Sequence, residues 1–157
     1  MDRSEIDKCY QIMRRAHYGQ KDKAGADYIL HPMAVADNVY RLFWKYLSED
    51  EYIISICCAY LHDVLEDTYY TQEKLLEEGV AFEIVSRVQI LTRGEGESYM
   101  NFIRRCGDDK ITTFVKMCDL THNMDITRLD KITDDDIQCI KKYHKAYKYL
   151  ENEKTKF

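Results

Sequence analysis

Residues 59–67 read Ala59-Tyr60-Leu61-His62-Asp63-Val64-Leu65-Glu66-Asp67, an apolar helical run that ends in two pairs of polar side chains. Burying such groups without partners would cost several kcal/mol. A second apolar stretch, Phe114-Val115-Lys116-Met117-Cys118-Asp119-Leu120, encloses another carboxylate. We therefore expect a metal ion or a hydrogen-bond network to satisfy these groups.

On either side of these stretches, hydrophobic residues recur at the i, i+3, i+4, i+7 spacing of amphipathic helices. Pro32 suits a first helical position, Ser48 and Glu51 form a capping-box signal, and a second such signal begins at Thr133. The predicted helices span residues 6–17, 32–43, 48–67, 71–78, 80–91, 97–106, 111–123 and 133–150, with Ile137 on the buried face of the last. No alternating apolar and polar run is long enough for a sheet. The sequence therefore predicts an all-α fold, a compact helical bundle, with residues 1–157 as one domain.

Composition and charge narrow the classes of partner. The net charge of −5 argues against nucleic acid or an anionic membrane. A small anionic substrate stays compatible with it, because a bound cation can dominate the field of its site. No apolar run approaches the roughly 20 residues that cross a bilayer, and the polar residues 1–8 lack the core of a secretion signal. The six cysteines include no C-x-x-C pair, so we expect a cytoplasmic protein with reduced thiols. The oligomeric state and the role of the basic, tyrosine-rich segment 141–156 stay open.

Four residues are candidate metal ligands. His62, Asp63 and Asp119 lie in the apolar runs, and His31 precedes Pro32, which favours an extended backbone at the helix start and an imidazole free to enter a pocket. Two imidazoles and two carboxylates suit Mn²⁺, Fe²⁺ or Zn²⁺ better than Ca²⁺. Taken singly, a His-Asp pair is common, and a buried aspartate is more often a helix cap or a salt-bridge partner.

The candidate ligands belong to three longer sequence blocks in the region from Ala16 to Met124. The blocks are Ala16-His17-Tyr18-Gly19-Gln20 continuing through Lys23, Gly25 and Tyr28-Ile29-Leu30-His31-Pro32; Leu61-His62-Asp63-Val64-Leu65-Glu66-Asp67-Thr68; and Val115-Lys116-Met117-Cys118-Asp119-Leu120-Thr121-His122-Asn123-Met124. In this order they resemble the HD-domain hydrolase half of the RelA/SpoT family, which hydrolyses the guanosine tetra- and pentaphosphate alarmones. The resemblance implies an HD-domain bundle. At this length the chain is expected to be a stand-alone small hydrolase without synthetase or regulatory domains.

The resemblance also implies roles for individual residues. It places Mn²⁺, with Fe²⁺, Zn²⁺ and Mg²⁺ as alternatives, on the four candidate ligands. It assigns Glu66 and Asp67 to positioning and activating the attacking water, and their i, i+3 and i, i+4 spacing from Asp63 agrees with this. The alternative for this pair is a solvated helix end. The residues expected to contact substrate are Gln20, Lys23, Tyr28, Lys116 and Asn123. Arg93 is expected to supply positive charge in place of basic residues of the family that this chain lacks. The alternative for Lys23 is a surface lysine without a contact to substrate.

Departures from the family pattern bear on the substrate. Asp22 stands where family hydrolases usually have arginine, and Leu120 and Asp125 replace basic residues of the third block. The leading prediction is a metal-dependent hydrolase that uses metal-activated water to release pyrophosphate from the 3′ position of guanosine alarmones. One alternative keeps this chemistry for another phosphorylated nucleotide or a dinucleotide cofactor. A non-catalytic nucleotide-binding HD module is the other, and the intact Glu66 and Asp67 argue against it.

Overall fold

The computed structural model describes residues 1–157, which fold into nine α-helices without a β-strand. This confirms the predicted all-α class. The helices are α1 (Ser4–Ala16), α2 (Leu30–Phe43), α3 (Glu49–Leu61), α4 (Val64–Asp67), α5 (Gln72–Glu77), α6 (Phe82–Leu91), α7 (Tyr99–Cys106), α8 (Lys110–Asn123) and α9 (Asp134–Glu153).

Helix α3 lies at the centre of the bundle because it is apolar on nearly all sides. Eight of its residues are buried, and it packs against α1, α2, α6 and α8. Its start is fixed by the predicted capping box, in which the Ser48 side chain accepts from the Glu51 backbone N–H and the Glu51 side chain accepts from the Ser48 backbone N–H. Helix α8 packs against α2 and α3, and the stacked rings of Phe43 and Phe114, with centroids 4.3 Å apart, join it to α2. The carboxyl-terminal end of α3 and the middle of α8 therefore meet deep in the molecule.

Two predicted boundaries around the candidate ligands are wrong. Helix α2 begins at Leu30, so His31 is helical and not extended. Pro32 is tolerated there because backbone N–H groups of a first turn need no intrahelical partner. Helix α3 ends at Leu61, and Asp63 precedes the separate short helix α4. The Asp63 carbonyl still accepts from the backbone N–H groups of residues 66 and 67, so the predicted helical spacing to both acids is kept.

The last helix, α9, packs on α7 and α8 and starts at the predicted capping box of Thr133 and Asp136. It buries Ala146 and Leu150. Ile137, expected on the buried face, is 41% exposed because the first turns of α9 extend beyond the core. Neither α9 nor any shorter helix combines the length and the apolar character that crossing a membrane requires.

Candidate metal centre

The four candidate ligands come from separate elements that converge on one point. His31 lies in the first turn of α2, His62 follows the last residue of α3, Asp63 precedes α4, and Asp119 lies in the third turn of α8. The exposed fractions of His31, His62 and Asp119 are only 7%, 2% and 3%. Because these groups are buried, their lone pairs need partners inside the protein or a bound cation.

The distances between the ligand atoms fit a single cation. His31 Nε2 lies 3.2 Å from His62 Nε2, 3.1 Å from Asp119 Oδ1 and 3.5 Å from Asp63 Oδ2. His62 Nε2 lies 2.9 Å from Asp63 Oδ2 and 3.7 Å from Asp119 Oδ1. Two imidazole nitrogens and two carboxylate oxygens thus lie close together, and such a donor set suits a transition metal. His31, His62 and Asp119 satisfy the geometry of a three-ligand group by themselves.

Neighbouring groups orient both imidazoles. His62 Nδ1 lies 2.8 Å from the Ala59 carbonyl oxygen, to which it donates in the tautomer that leaves Nε2 free. His31 Nδ1 lies 2.8 Å from His122 Nδ1. Burial, with His31 and Arg128 nearby, lowers the pKa of His122 to about 4, so its neutral ring can accept from His31. Each ligand imidazole therefore turns Nε2 toward the centre.

Hydrogen bonds also orient the carboxylates of Asp119 and Asp63. Lys116 Nζ donates to Asp119 Oδ2 at 2.7 Å and Asn123 Nδ2 donates to Asp119 Oδ1 at 2.6 Å. The Tyr28 hydroxyl donates to Asp63 Oδ2 at 2.5 Å and lies 3.3 Å from Asp67 Oδ2. Three residues predicted to contact substrate, Tyr28, Lys116 and Asn123, thus also position metal-ligand carboxylates.

The electrostatics of the site favour a bound cation. Burial raises the pKa of Asp119, but Lys116 and the two imidazoles outweigh it and hold that pKa well below the ordinary value. Burial likewise lowers the pKa of His62, but Asp63 and Asp119 raise it to about 10. The carboxylates therefore stay ionised and stabilise positive charge at the centre, which a divalent cation also supplies.

A cavity of about 260 Å³ opens beside the ligands. Its lining includes His31, Asp63, Glu66 and Asp119. Glu66 Oε2 accepts from the backbone N–H of Arg93 at 3.2 Å, which fixes the carboxylate at the rim of this cavity. A carboxylate in that place can accept a proton from water inside the cavity.

Asp67 lies farther out than Glu66. It does not line this cavity, and its closest side-chain contact is the Tyr28 hydroxyl. Partial desolvation and then the negative charge of Asp63 raise the pKa of Asp67. The structure therefore separates the two acids of the predicted pair, with Glu66 on the cavity and Asp67 behind Tyr28.

A second cavity, of about 270 Å³, adjoins the first and shares Tyr28, His31 and Asn123 with it. The predicted substrate contact Lys23 lines this second cavity, as does Asp22. Asp22 Oδ1 accepts from the backbone N–H groups of residues 24 and 26, both at 2.9 Å. Its other oxygen faces Arg128 at 3.9 Å. The acid therefore holds its own loop, while Arg128, which also lines this cavity, lies with Nη1 2.8 Å from His122 Nδ1.

Gln20 and Arg93 complete the predicted set. Gln20 points away from both cavities and its Oε1 lies 2.8 Å from His17 Nδ1. Arg93 lines the first cavity, but its guanidinium donates to the Glu97 carbonyl oxygen. The structure thus brings every predicted residue except Gln20, His62 and Asp67 to one of the two cavity walls. His62 is buried beside His31 and Asp63.

Sequence reasoning missed residues that α7 and α9 contribute to the first cavity, namely Tyr99, Phe102, Lys142 and Tyr143. Nothing in the local sequence of α9 separates Lys142 from the other lysines of that helix. Their contribution depends on how α9 packs against α7 and α8, which periodicity alone does not specify.

No protein-family model matches the chain. It is 39% identical over 123 residues to a guanosine-3′,5′-bis(diphosphate) 3′-pyrophosphohydrolase of Haemophilus influenzae, which covers 72% of this chain and 17% of the relative. It is 32% identical over 128 residues to the bifunctional (p)ppGpp synthase/hydrolase SpoT of Escherichia coli, covering 74% of this chain and 17% of that protein. The chain thus spans less than a fifth of these relatives' length.

A solved structure shares the fold. It is described as a metazoan orthologue of SpoT that hydrolyses ppGpp, and it superposes with a TM-score of 0.72 over 98% of this chain and 93% of its own. The two sequences are 16% identical. The compact all-α bundle is therefore the fold of that hydrolase.

Proposed function

We propose, starting from the homology of this chain to one segment of the (p)ppGpp 3′-pyrophosphohydrolases and SpoT, that it is a metal-dependent phosphohydrolase that releases pyrophosphate from the 3′ position of guanosine alarmones. The observation that carries the proposal is the convergence of His31, His62, Asp63 and Asp119 beside a cavity with Glu66 at its rim. A binding module would have no use for a carboxylate held in that place.

The four donors would hold the metal, which we propose to be Mn²⁺. A divalent cation supplies this site with Lewis acidity, which lowers the pKa of water and draws charge from phosphate oxygens. The two imidazoles favour a transition metal, because Mg²⁺ prefers oxygen ligands and retains several waters.

The chain's own residues would divide the chemical work. Glu66 accepts the proton of the attacking water, since its carboxylate is fixed by the Arg93 backbone N–H and faces the cavity. Tyr28 holds Asp63 through its hydroxyl, and Asp67 supports Tyr28 from behind. The water oxygen bonds to phosphorus, the bond from phosphorus to the ribose 3′ oxygen breaks, and that oxygen takes up a proton. The products are guanosine diphosphate, from the tetraphosphate, and pyrophosphate.

The adjoining cavities support a nucleotide as substrate. Three of the four candidate ligands, His31, Asp63 and Asp119, line the first cavity. The second cavity extends from Tyr28 and His31 toward Lys23 and Arg128. A nucleotide with its 3′ phosphates near the ligands would reach the second cavity with its ribose and base. We propose Lys23 and Arg128 as contacts there.

The test is incubation of the purified protein with Mn²⁺ and a panel of nucleotides, followed by chromatographic product analysis. We expect guanosine tetraphosphate to yield guanosine diphosphate and pyrophosphate, and the matched variant Glu66→Gln to yield neither. If only other phosphorylated nucleotides or dinucleotide cofactors are hydrolysed, the proposed substrate is wrong and the proposed metal-dependent hydrolysis still holds. Metal binding without any turnover would contradict the proposal and favour a nucleotide-binding module.

The cellular setting stays a prediction. A cytoplasmic location agrees with six cysteines that are all free thiols in the structure. We expect a small nucleotide as partner, and the oligomeric state is left open.

A further inference from the structure

Lys142, on α9, stands at the wall of the cavity that contains the candidate metal ligands. Its Nζ lies 4.9 Å from the ring centroid of Tyr99 and 5.0 Å from that of Tyr143. These are cation–π distances, so the two rings hold the ammonium group in one place. Lys142 is exposed, so a solvent-accessible positive charge stands at the cavity wall formed by α7 and α9.

The other two cations of this cavity already have partners. Lys116 is paired with Asp119 at 2.7 Å. Arg93 donates from Nε and Nη2 to the Glu97 carbonyl oxygen, at 2.8 and 2.6 Å. Lys142 Nζ, in contrast, forms neither a hydrogen bond nor an ion pair with the protein, although it can donate three hydrogen bonds. It is the one cation at this cavity whose charge is not matched.

The neighbouring Tyr99 also lacks a partner. Tyr99 lines the same cavity, and its hydroxyl is buried and forms no hydrogen bond. Buried hydroxyl groups are usually paired, and an unpaired one in a cavity is a mark of a ligand-facing group. The unpaired ammonium thus lies over the ring of a tyrosine whose own hydroxyl is unpaired, and the ligand that suits both groups is an anion with several oxygen atoms.

We propose that Lys142 and Tyr99 form a phosphate-binding site for the substrate, separate from the metal ligands. The inference rests on the proposed function and identifies residues that select for a multiply phosphorylated substrate. Lys142 supplies charge and Tyr99 donates a hydrogen bond, while neither group takes part in bond breaking. Their loss therefore weakens binding of phosphate groups and leaves the chemical step in place.

The test compares Lys142→Gln with Lys141→Gln, which removes the same charge from an adjacent exposed residue of α9 that does not line the cavity. Two readouts are measured on Mn²⁺-loaded protein: the Kd of inorganic pyrophosphate by calorimetry, and KM and kcat for guanosine tetraphosphate. Because hydrogen bonds to charged groups are the stronger ones, we expect Lys142→Gln to raise Kd and KM roughly tenfold. We expect kcat and metal content to be unchanged, Lys141→Gln to match the wild type, and Lys142→Arg to restore most of the affinity.

Tyr99→Phe separates a ligand-binding role from a structural one. The change removes only a hydroxyl that has no partner in the protein, so thermal stability should be equal or higher. We expect KM and the Kd of pyrophosphate to rise nonetheless. The double variant Lys142→Gln/Tyr99→Phe should lose less than the sum of the two single losses, because both groups bind one anion.

The outcomes distinguish this inference from the proposed function. Absence of nucleotide hydrolysis by the wild type, with pyrophosphate binding that still depends on Lys142, would refute the function and leave the phosphate site standing. If Lys142→Gln equals Lys141→Gln in both pyrophosphate affinity and KM, the phosphate site is refuted whatever the wild type hydrolyses.

Discussion

The side chains of the candidate metal centre are oriented by neighbouring groups that are not themselves candidate ligands. His62 is oriented by a backbone carbonyl of its own helix, Asp119 by Lys116, and Asp63 by Tyr28. Such outer contacts fix which atom faces a metal, and their loss commonly weakens metal affinity. Metal binding and catalysis can therefore be separated by substitution.

Asp63 and Glu66 give the clearest separation. We expect Asp63→Ala to lose both bound Mn²⁺ and activity, because it removes a ligand oxygen. Glu66→Ala should keep most of the metal and lower kcat by roughly a hundredfold or more, because it removes the proton acceptor. Metal content by elemental analysis and steady-state kinetics on the same samples provide the check. A Glu66→Ala enzyme with wild-type kcat would show that another group accepts the proton.

Tyr28 tests the outer contacts. Tyr28→Phe removes the hydroxyl that donates to Asp63 and should weaken Mn²⁺ affinity roughly tenfold. The matched control is Tyr18→Phe, because Tyr18 belongs to the preceding loop and is 91% exposed. Competition with a chelating dye measures both affinities. Equal affinities in the two variants would show that the Tyr28 hydroxyl does not support the site.

The sequence singled out the candidate ligands more readily than the residues of the cavity wall. His31, His62, Asp63 and Asp119 were singled out because polar groups in apolar or turn settings need partners and because they match the family blocks, and the structure brings them close together. Lys142 could not be found, because only the packing of α9 distinguishes it from its neighbouring lysines. Gln20 was expected near substrate, but its side chain pairs with buried His17 and lines neither cavity.

At the scale of helices, Arg105 connects α7 to the end of α6. Its guanidinium donates to the carbonyl oxygens of Ile90 and Thr92 and pairs with Glu97 at 2.7 Å. Glu97 in turn accepts from the Gly94 backbone N–H at 2.9 Å. These bonds fix the loop that carries Arg93, whose backbone N–H holds Glu66. Arg105, which its sequence surroundings would place at the surface, thus supports the side of the cavity that carries Glu66.

This connection predicts a pH dependence of stability. Arg105, with the Gly94 N–H, lowers the pKa of Glu97 from an ordinary 4.5 to about 2. Because the folded pKa is below the unfolded one, the contribution to stability is complete above pH 4.5 and is lost as the pH falls toward about 2. Arg105→Gln should therefore be destabilised relative to wild type near neutral pH, and the difference should shrink in acid.

Urea denaturation between about pH 6 and about pH 3 measures that difference in unfolding free energy. Arg104→Gln is the control, because Arg104 is exposed and its side chain bonds only to Asn101. A difference between wild type and Arg105→Gln that stays constant over this range would contradict the assigned role of the ion pair.

The sequence predicted where a helix begins when a capping box marks its first turn. The capping boxes at Ser48 and Thr133 begin α3 and α9 as predicted. The break after Leu61 was missed, because neither glycine nor proline marks it. The same break places Asp63 beside both imidazoles. The wrongly predicted helix end therefore lies in the segment that carries His62 and Asp63.

For the molecule as a whole, the candidate centre connects helices that are distant in sequence. Its donors come from α2, the α3–α4 junction and α8, and the hydrophobic core of 33 buried residues packs around these helices. A cation bound only by the folded chain adds stability that grows with its concentration, by about 2.7 kcal/mol at a hundredfold excess over Kd. Folding, metal content and activity should therefore change together.

The most direct measurement of the central claim is titration of the metal-stripped protein with Mn²⁺, recording bound metal, melting temperature and guanosine tetraphosphate hydrolysis on the same samples. We expect one Mn²⁺ per chain, a melting temperature that rises with saturation, and hydrolysis proportional to occupancy. Asp119→Asn should bind little metal and remain inactive over the same titration. Full hydrolysis by the metal-stripped protein, or by Asp119→Asn without bound metal, would contradict the account.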